Sequence, residues 1–389
     1  MPIASKAVRW CPTPPRRAVW GVVGVCLGLI ACRPEPTEAR RADVAVTGTT
    51  DSIATDFTTT PTASTITLTG GGASLPYPLY AKWMNAYAVE HGVRLNYLSL
   101  GSAEGMDRLQ AGRLDFAATD VPMADVDRNR GTIWQVPTAI AAVALTYHVP
   151  DTVRPIRFTP ELIAGVLLGD ITRWNDPRLR VVNPTVPLPD MPITVVHRGD
   201  GSGTTYILSD YLNRTSTAWR QRVGRGSRLA WPVGRAANGN EGVAATIRET
   251  PGSIGYVEVG YARLHRLPVA HLQNRQGRFI SPMPFEIASA AAEALEDAMA
   301  SRGFNDHVMI PPSASIVDAD GLRSYPLASF TWILIPADRL GASKTRELLA
   351  FLRWALLEQE EVASRLGYVP LPASVAEPLL DQFERRIVP

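Results

Sequence analysis

The sequence predicts an α/β protein built mostly on parallel strands, on three observations. Strand-like and helix-like segments alternate along the chain. Glycines and small hydroxyls cluster where a strand pattern gives way to a helix pattern. Roughly 320 residues remain after a distinctive N-terminal stretch, enough for two lobes with their own cores.

Taken in order, Thr65–Leu68 has strand character and Tyr77–Glu90 a helical apolar pattern. Arg94–Leu98 alternates like a strand, Met106–Gln110 is helical, and Phe116–Thr119 is again a strand. Ala139–His148 is a continuous apolar run ending at Val149-Pro150, suited to a first crossing between lobes, and Ser329–Pro336 is a similar run suited to the return. A second lobe would then be an insertion over 149–328, with the first built from 66–148 and 329–389. Arg346–Leu366 carries Leu348, Leu349, Leu352, Ala355, Leu356 and Val362 at helical spacing, which predicts a helix closing the first lobe on a core face. Val181–Pro192 is proline-rich and reads as a surface excursion of polyproline character.

Three junctions share one chemistry. Val196-His197-Arg198-Gly199-Asp200-Gly201-Ser202-Gly203-Thr204-Thr205 precedes a helical run from Tyr206 to Leu212. Leu68-Thr69-Gly70-Gly71-Gly72-Ala73-Ser74-Leu75-Pro76 and Leu95-Asn96-Tyr97-Leu98-Ser99-Leu100-Gly101-Ser102-Ala103-Glu104-Gly105 repeat the theme. Helix N-termini offer unpaired N–H donors and partial positive charge, glycine lets the backbone approach closely, and arginine adds a planar fork of donors. Together these could hold an oxyanion. Three ordinary βα turns would also favour glycine and serine, and spacing alone does not separate the two readings.

The motifs themselves go further. Thr69-Gly-Gly-Gly-Ala-Ser-Leu-Pro76, Tyr80-Ala-Lys-Trp83, Asn96-Tyr97 with Gly101-Ser102, and Asp115-Phe-Ala-Ala-Thr-Asp120-Val-Pro122 run in order. Arg198–Thr204, Trp231-Pro-Val-Gly234, Gly239-Asn-Glu-Gly-Val-Ala244, Pro251-Gly-Ser-Ile-Gly-Tyr-Val-Glu258 and Tyr325-Pro-Leu-Ala-Ser329 follow. In this collinear set the chain resembles the periplasmic phosphate-binding proteins that feed ABC-type phosphate importers. The resemblance implies a type II periplasmic-binding-protein fold, with two βα lobes joined by two crossing strands and the ligand in the cleft. It implies high-affinity binding of inorganic phosphate, delivery to an ABC permease with its ATPase, a monomer, and neither enzymatic activity nor a cofactor.

Carried over residue by residue, the resemblance assigns the phosphate contacts to Ser74, Leu75, Ser102, Asp120, Arg198, Ser202, Gly203 and Thr204. Ser74 stands where the family has threonine, keeping the hydroxyl but losing a methyl that restricts its rotamer. Leu75 replaces phenylalanine, so its backbone N–H is the expected donor. Asp200 is placed to hold the Arg198 fork. Asp120 is the expected selectivity residue: a carboxylate facing an anion repels it unless the anion still carries a proton, as phosphate does and sulfate at neutral pH does not. Glu104 departs from the small residues usual there and is expected in the first turn of a helix, facing solvent. In the Asp115–Asp120 pair, Asp115 is expected to be a structural turn acid.

The N-terminus addresses location. Lys6, Arg9, Arg16 and Arg17 form a cationic segment before the apolar run Ala18–Ala31, which is too short to span a bilayer comfortably, for which about 20 residues are needed. Leu29-Ile30-Ala31-Cys32 resembles a lipobox, implying a lipoprotein signal over 1–31, lipidation of Cys32 and an anchored protein at the cell envelope. Cys11 and Cys26 would leave with the signal, so neither a disulfide nor a thiolate metal site is expected. Residues 32–65, rich in Thr, Ala, Asp and Pro, read as a flexible tether. The whole chain carries +2, which becomes about −2 once the four cations of the signal are gone, and no basic stripe points to nucleic acid.

Two other classes compete with a phosphate binder. A phosphatase or other hydrolase could use Ser202, but Gly-Asp-Gly-Ser-Gly lacks the Gly-x-Ser-x-Gly elbow and none of the six histidines falls in a motif with it. His197 should point away from the Arg198 side by strand alternation. A binder of sulfate, molybdate or a phosphonate is the other option, and Asp120 argues against the first two.

Overall fold

Alternation of strand and helix follows the chain in the computed structural model, which describes residues 66–122, 133–152, 154–300, 315–336 and 339–387. The expected signal, tether and Cys32 lie outside the described residues. The strands are β1 (Thr67–Gly72), β2 (Arg94–Ser99), β3 (Phe116–Thr119), β4 (Ile133–Tyr147), β5 (Arg157–Phe158), β6 (Thr194–Arg198), β7 (Arg235–Ala237), β8 (Ser253–Glu258), β9 (His271–Gln273), β10 (Phe279–Ile280) and β11 (Ala328–Pro336). The helices are α1 (Tyr77–His91), α2 (Ser102–Gln110), α3 (Pro160–Leu167), α4 (Pro177–Val182), α5 (Gly203–Thr215), α6 (Thr217–Arg222), α7 (Gly239–Glu249), α8 (Val259–Leu264), α9 (Pro284–Ala300), α10 (Ala342–Glu358), α11 (Glu360–Leu366) and α12 (Ala373–Ile387).

Eight strands form one sheet in the order β2-β1-β3-β11-β4-β8-β6-β7, and a small sheet pairs β10-β9-β5. β1 lies parallel to β2 and β3, and β6 parallel to β7 and β8. Between these parallel sets run β4 and β11, antiparallel to each other and to their outer neighbours. β4 pairs with β11 along Ile133–Ala142 and with β8 along Val143–Tyr147, so one long strand belongs to both halves. The chain crosses to the second half through β4 and returns through β11. β4 is buried over nearly its whole length, which is why its sequence is mostly apolar and does not alternate.

A register shift interrupts this central pair. Thr331 sits opposite Ala139 while Trp332 sits opposite Pro137, which leaves Thr138 as the extra residue. Pro137 has no N–H to give a ladder, and a bulge is where an interior strand tolerates it. The freed Thr138 hydroxyl donates to the Thr331 carbonyl at 3.2 Å and is bonded by the Tyr80 hydroxyl at 2.6 Å.

Several elements differ from expectation. β1 runs on through Gly70-Gly71-Gly72 instead of stopping at Leu68, because those glycines pair with both β2 and β3. At Gly70 the Phe116 ring lies where a Cβ would stand, so only glycine allows this packing. α2 starts at Ser102, four residues before the apolar run that predicted it. The single closing helix is two, α10 and α11, broken at Gln359, whose backbone leaves the helical region. Leu348, Leu349, Leu352, Ala355 and Leu356 are buried as core, with Val362 partly buried against it. The proline-rich stretch begins as the end of α4, where Val181 and Val182 are helical.

Candidate functional site

Five junctions converge at the sheet's carboxyl edge: the three glycine–hydroxyl turns and the Asp120 segment singled out in the sequence, and one more, β7–α7. From the first half come β1–α1 with Ser74 and Leu75, β2–α2 with Ser102, and the end of β3 with Asp120. From the second half come β6–α5 with Arg198 to Thr204, and β7–α7 with Asn240. Ser74, Leu75, Ser102, Asp120, Arg198, Ser202, Thr204 and Asn240 are all nearly or fully buried. The structure therefore holds the two halves closed on each other. The Gly203 N–H donates to Ser102 Oγ at 3.1 Å, the Ala103 N–H donates to the Gly201 carbonyl at 3.1 Å, and the Tyr261 hydroxyl donates to the Ser74 carbonyl at 2.9 Å.

On the second-half wall Arg198 and Asp200 answer each other's charge. Arg198 donates through Nε to Asp200 Oδ1 at 2.7 Å, through Nη2 to Asp200 Oδ2, and through Nη1 to Thr204 Oγ1 at 3.4 Å. Of five guanidinium hydrogens, one on each Nη then has no partner among the described residues. Burial pulls Asp200 upward, but the Arg198 hydrogen bonds and charge and the Gly239 N–H outweigh it and hold the carboxyl below its ordinary value. Ser202 is the N-cap of α5, its Oγ accepting the Thr205 N–H at 3.1 Å. Gly203 follows at the first turn, where a Cβ would collide with Asp120 Oδ2 and stand 2.6 Å from Ser102 Oγ.

The first-half wall holds one group out of balance. Asp120 Oδ1 accepts the Thr331 hydroxyl at 2.8 Å, so the residue beside the β4–β11 bulge fixes the carboxyl. Oδ2 is buried without a hydrogen-bond partner among the described residues. Burial pushes Asp120 up to about 7, against the Thr331 hydroxyl, the Arg198 charge and Ser102. Ser102 Oγ accepts two N–H groups, from Gly203 and, at 3.4 Å, from Asp120. With both lone pairs occupied, it has only its proton left to offer.

Tyrosine hydroxyls, which sequence reasoning missed, set the β1–α1 turn. Tyr97 donates to the Ala73 carbonyl at 2.7 Å, Tyr261 to that of Ser74, and Tyr368 to that of Leu75 at 2.7 Å. In a trans peptide the C=O and the following N–H point opposite ways, so pinning the carbonyls of Ala73 and Ser74 directs the N–H groups of Ser74 and Leu75. Asn240 was also missed. Its N–H and Nδ2 both donate to Ser74 Oγ, at 3.2 and 3.0 Å, its Nδ2 donates to Thr204 Oγ1 at 3.2 Å, and its Oδ1 accepts the Glu258 N–H at 2.9 Å. The only local signal was the glycine-to-helix junction of Gly239-Asn-Glu-Gly, quoted above without a role.

Three expected bystanders have other duties. Asp115 accepts the Thr69 N–H and the Lys344 ammonium. Glu104 lies in the first turn of α2 and pairs with Arg108 at 2.7 Å, half-exposed. The His197 ring stacks on Trp231 at 4.7 Å, with Nδ1 against the Arg198 carbonyl at 3.1 Å. No group of metal-ligating side chains occurs among the described residues.

Known proteins share this arrangement of elements. A PBP superfamily domain profile matches residues 58–359. The phosphate-binding protein PstS of Haemophilus influenzae is 36% identical over 331 residues, covering 85% of this chain and 96% of that protein. The chain belongs to the PstS phosphate-binding protein family. The Pasteurella multocida PstS is 35% identical over 322 residues, covering 82% of this chain and 91% of its own. Among solved structures, the phosphate-binding protein of Stenotrophomonas maltophilia superposes with a TM-score of 0.58 at 17% identity, over 81% of this chain and 93% of its own, and shares this fold.

Proposed function

We propose that this chain binds inorganic phosphate outside the cytoplasmic membrane and delivers it to an ABC-type import permease. The observation that carries this reading is a buried acceptor oxygen, Asp120 Oδ2, left without a hydrogen-bond partner among the described residues where donor-bearing junctions of both halves meet. Donors in this reading are the hydroxyls of Ser74, Ser102, Ser202 and Thr204, the N–H groups of Leu75 and Thr204, and the two remaining N–H groups of Arg198, while the Gly203 N–H orients the Ser102 hydroxyl. A buried acceptor left unpaired costs about 1–3 kcal/mol, more when charged. A guest that brings its own proton removes that cost, and a fully deprotonated oxyanion adds repulsion to it. Hydrogen phosphate and dihydrogen phosphate meet the requirement; sulfate does not.

The lobes are assigned to 66–148 with 329–389 and to 149–328, hinged at β4 and β11. Because the site is enclosed, the guest enters when the halves part, breaking the Ser102–Gly203 and Ser74–Asn240 bonds, and closure reforms them around it. No described helix is long and apolar enough to cross a membrane. In our reading, retention at the envelope rests on the lipobox-like Cys32 and the tether after it. The Ser202 hydrolase is not favoured, because that hydroxyl caps α5 and the His197 Nδ1 faces a carbonyl.

Isothermal titration of the full-length protein with phosphate and, separately, sulfate tests the reading. Stoichiometric phosphate binding with at least a hundredfold preference over sulfate at pH 8 is expected. Equal affinities, or no phosphate binding, would contradict it.

A further inference from the structure

We propose that Asn240 is a positioning residue for the bound anion: it fixes Ser74 and Thr204 as hydrogen donors and ties them together across the closed cleft. The inference rests on the phosphate-binding reading and adds to it a residue that reaches the guest only through others.

A hydroxyl oxygen accepts two hydrogen bonds and donates one. Ser74 Oγ receives the Asn240 N–H at 3.2 Å and an Nδ2 hydrogen at 3.0 Å. Thr204 Oγ1 receives the other Nδ2 hydrogen at 3.2 Å and an Arg198 Nη1 hydrogen at 3.4 Å. Both oxygens are thereby saturated as acceptors, and each can present only its proton to an anion. A free serine or threonine hydroxyl would rotate and could turn a lone pair toward the guest; these two cannot without losing a bond. The amide itself cannot flip. Its Oδ1 accepts the Glu258 N–H at 2.9 Å, and a flipped amide would place two N–H groups nose to nose.

Placement adds a second consequence. Ser74 belongs to the first half, whereas Asn240, Thr204 and Glu258 belong to the second. The Asn240–Ser74 pair forms only on closure, so the proton of Ser74 becomes committed as a donor at the moment the anion is enclosed. Asn240 sits in the first turn of α7, fully buried, so nothing but its side-chain amide distinguishes it from an ordinary helix start.

A double-mutant cycle of phosphate affinity on the full-length protein tests this, with Asn240→Ala, Ser74→Ala and the double variant. Asn240→Ala in the wild-type background is expected to weaken binding by about a hundredfold, the loss of two oriented donors to a charged guest. In the Ser74→Ala background the same change is expected to cost clearly less, about tenfold, because one of its two clients is gone. Additive losses, or undiminished binding by the folded Asn240→Ala variant, would overturn the proposal. Should Asn240→Ala fail to fold, the near-isosteric and uncharged Asn240→Leu also removes both Nδ2 donors, and its cycle with Ser74→Ala is read the same way. Failure of the wild-type protein to bind phosphate would instead sink the functional reading, so the two failures are distinct.

Discussion

The two walls of the site face each other with different states of completion. On the second-half wall Arg198 and Asp200 answer each other's charge, Asp200 also takes the Gly239 N–H, and the α5 N-terminus is capped by Ser202, although Glu258 on β8 keeps Oε1 buried without a partner among the described residues. On the first-half wall one carboxylate oxygen, Asp120 Oδ2, is buried and unanswered. The contrast separates two tasks. The wall that carries the Arg198–Asp200 pair supplies grip, since its donors are oriented before any guest arrives and need no rearrangement. The incomplete wall supplies discrimination, because only a proton-bearing guest satisfies it.

Removing the grip should have the largest effect. Arg198→Ala strips two charge-assisted hydrogen bonds to the guest, each about 1.5–3 kcal/mol, and leaves the half-buried Asp200 without its cation. A loss of about 10²–10⁴ in phosphate affinity is expected by calorimetry, with the phosphate-to-sulfate ratio changing far less than the affinity. A variant whose selectivity collapsed while affinity held would merge the two tasks that the walls separate.

Next in size is the pH dependence of discrimination. Asp120 carries its proton below about 7 and loses it above. Protonated, it can donate to sulfate; ionised, it repels it. Competition titrations should show the preference for phosphate narrow below pH 7 and widen above it, by up to about tenfold per pH unit. Thr331→Val removes the hydroxyl that favours the ionised form, so the pH at which discrimination sets in should move upward.

The smallest effect is on stability, and its sign follows from linkage. Folded Asp120 keeps its proton to about 7, whereas the unfolded side chain releases it near 3.8, so the folded state binds more protons between those values. Its stabilising contribution is present at low pH and is lost as pH rises through about 7. Glu258, pushed by burial from 4.5 to about 8, acts in the same direction over a window reaching higher. The ligand-free protein should therefore melt lower at pH 8.5 than at pH 5.5, by roughly 5 °C or more. Asp120→Asn should flatten the lower part of that slope, and Glu258→Gln the upper part.

Much of this was legible in the sequence, for reasons that also mark what was not. Strand, glycine, hydroxyl and helix follow one another within ten residues at the β1, β2 and β6 junctions, so local pattern marked these turns as candidates, and the family resemblance assigned Ser74, Ser102 and Arg198–Thr204 within them. Asp120 and Asp200 followed from the family resemblance that those motifs carry. Asn240 escaped because β7 is only three residues long and largely exposed, leaving no alternation to announce a junction. The tyrosines escaped for a different reason: Tyr368 reaches Leu75 across 293 positions of sequence, a contact no local period encodes. The Thr138–Thr331 link depends on a bulge at Pro137, and an apolar run does not reveal its register. The break at Gln359 has no proline or glycine to signal it.

The most direct test of the central claim is calorimetric titration of the Asp120→Asn variant with phosphate and sulfate at pH 8. The account predicts a variant that still binds phosphate, more weakly, and accepts sulfate with a preference narrowed by at least tenfold relative to the wild type. An unchanged phosphate-to-sulfate ratio in the folded variant would contradict it.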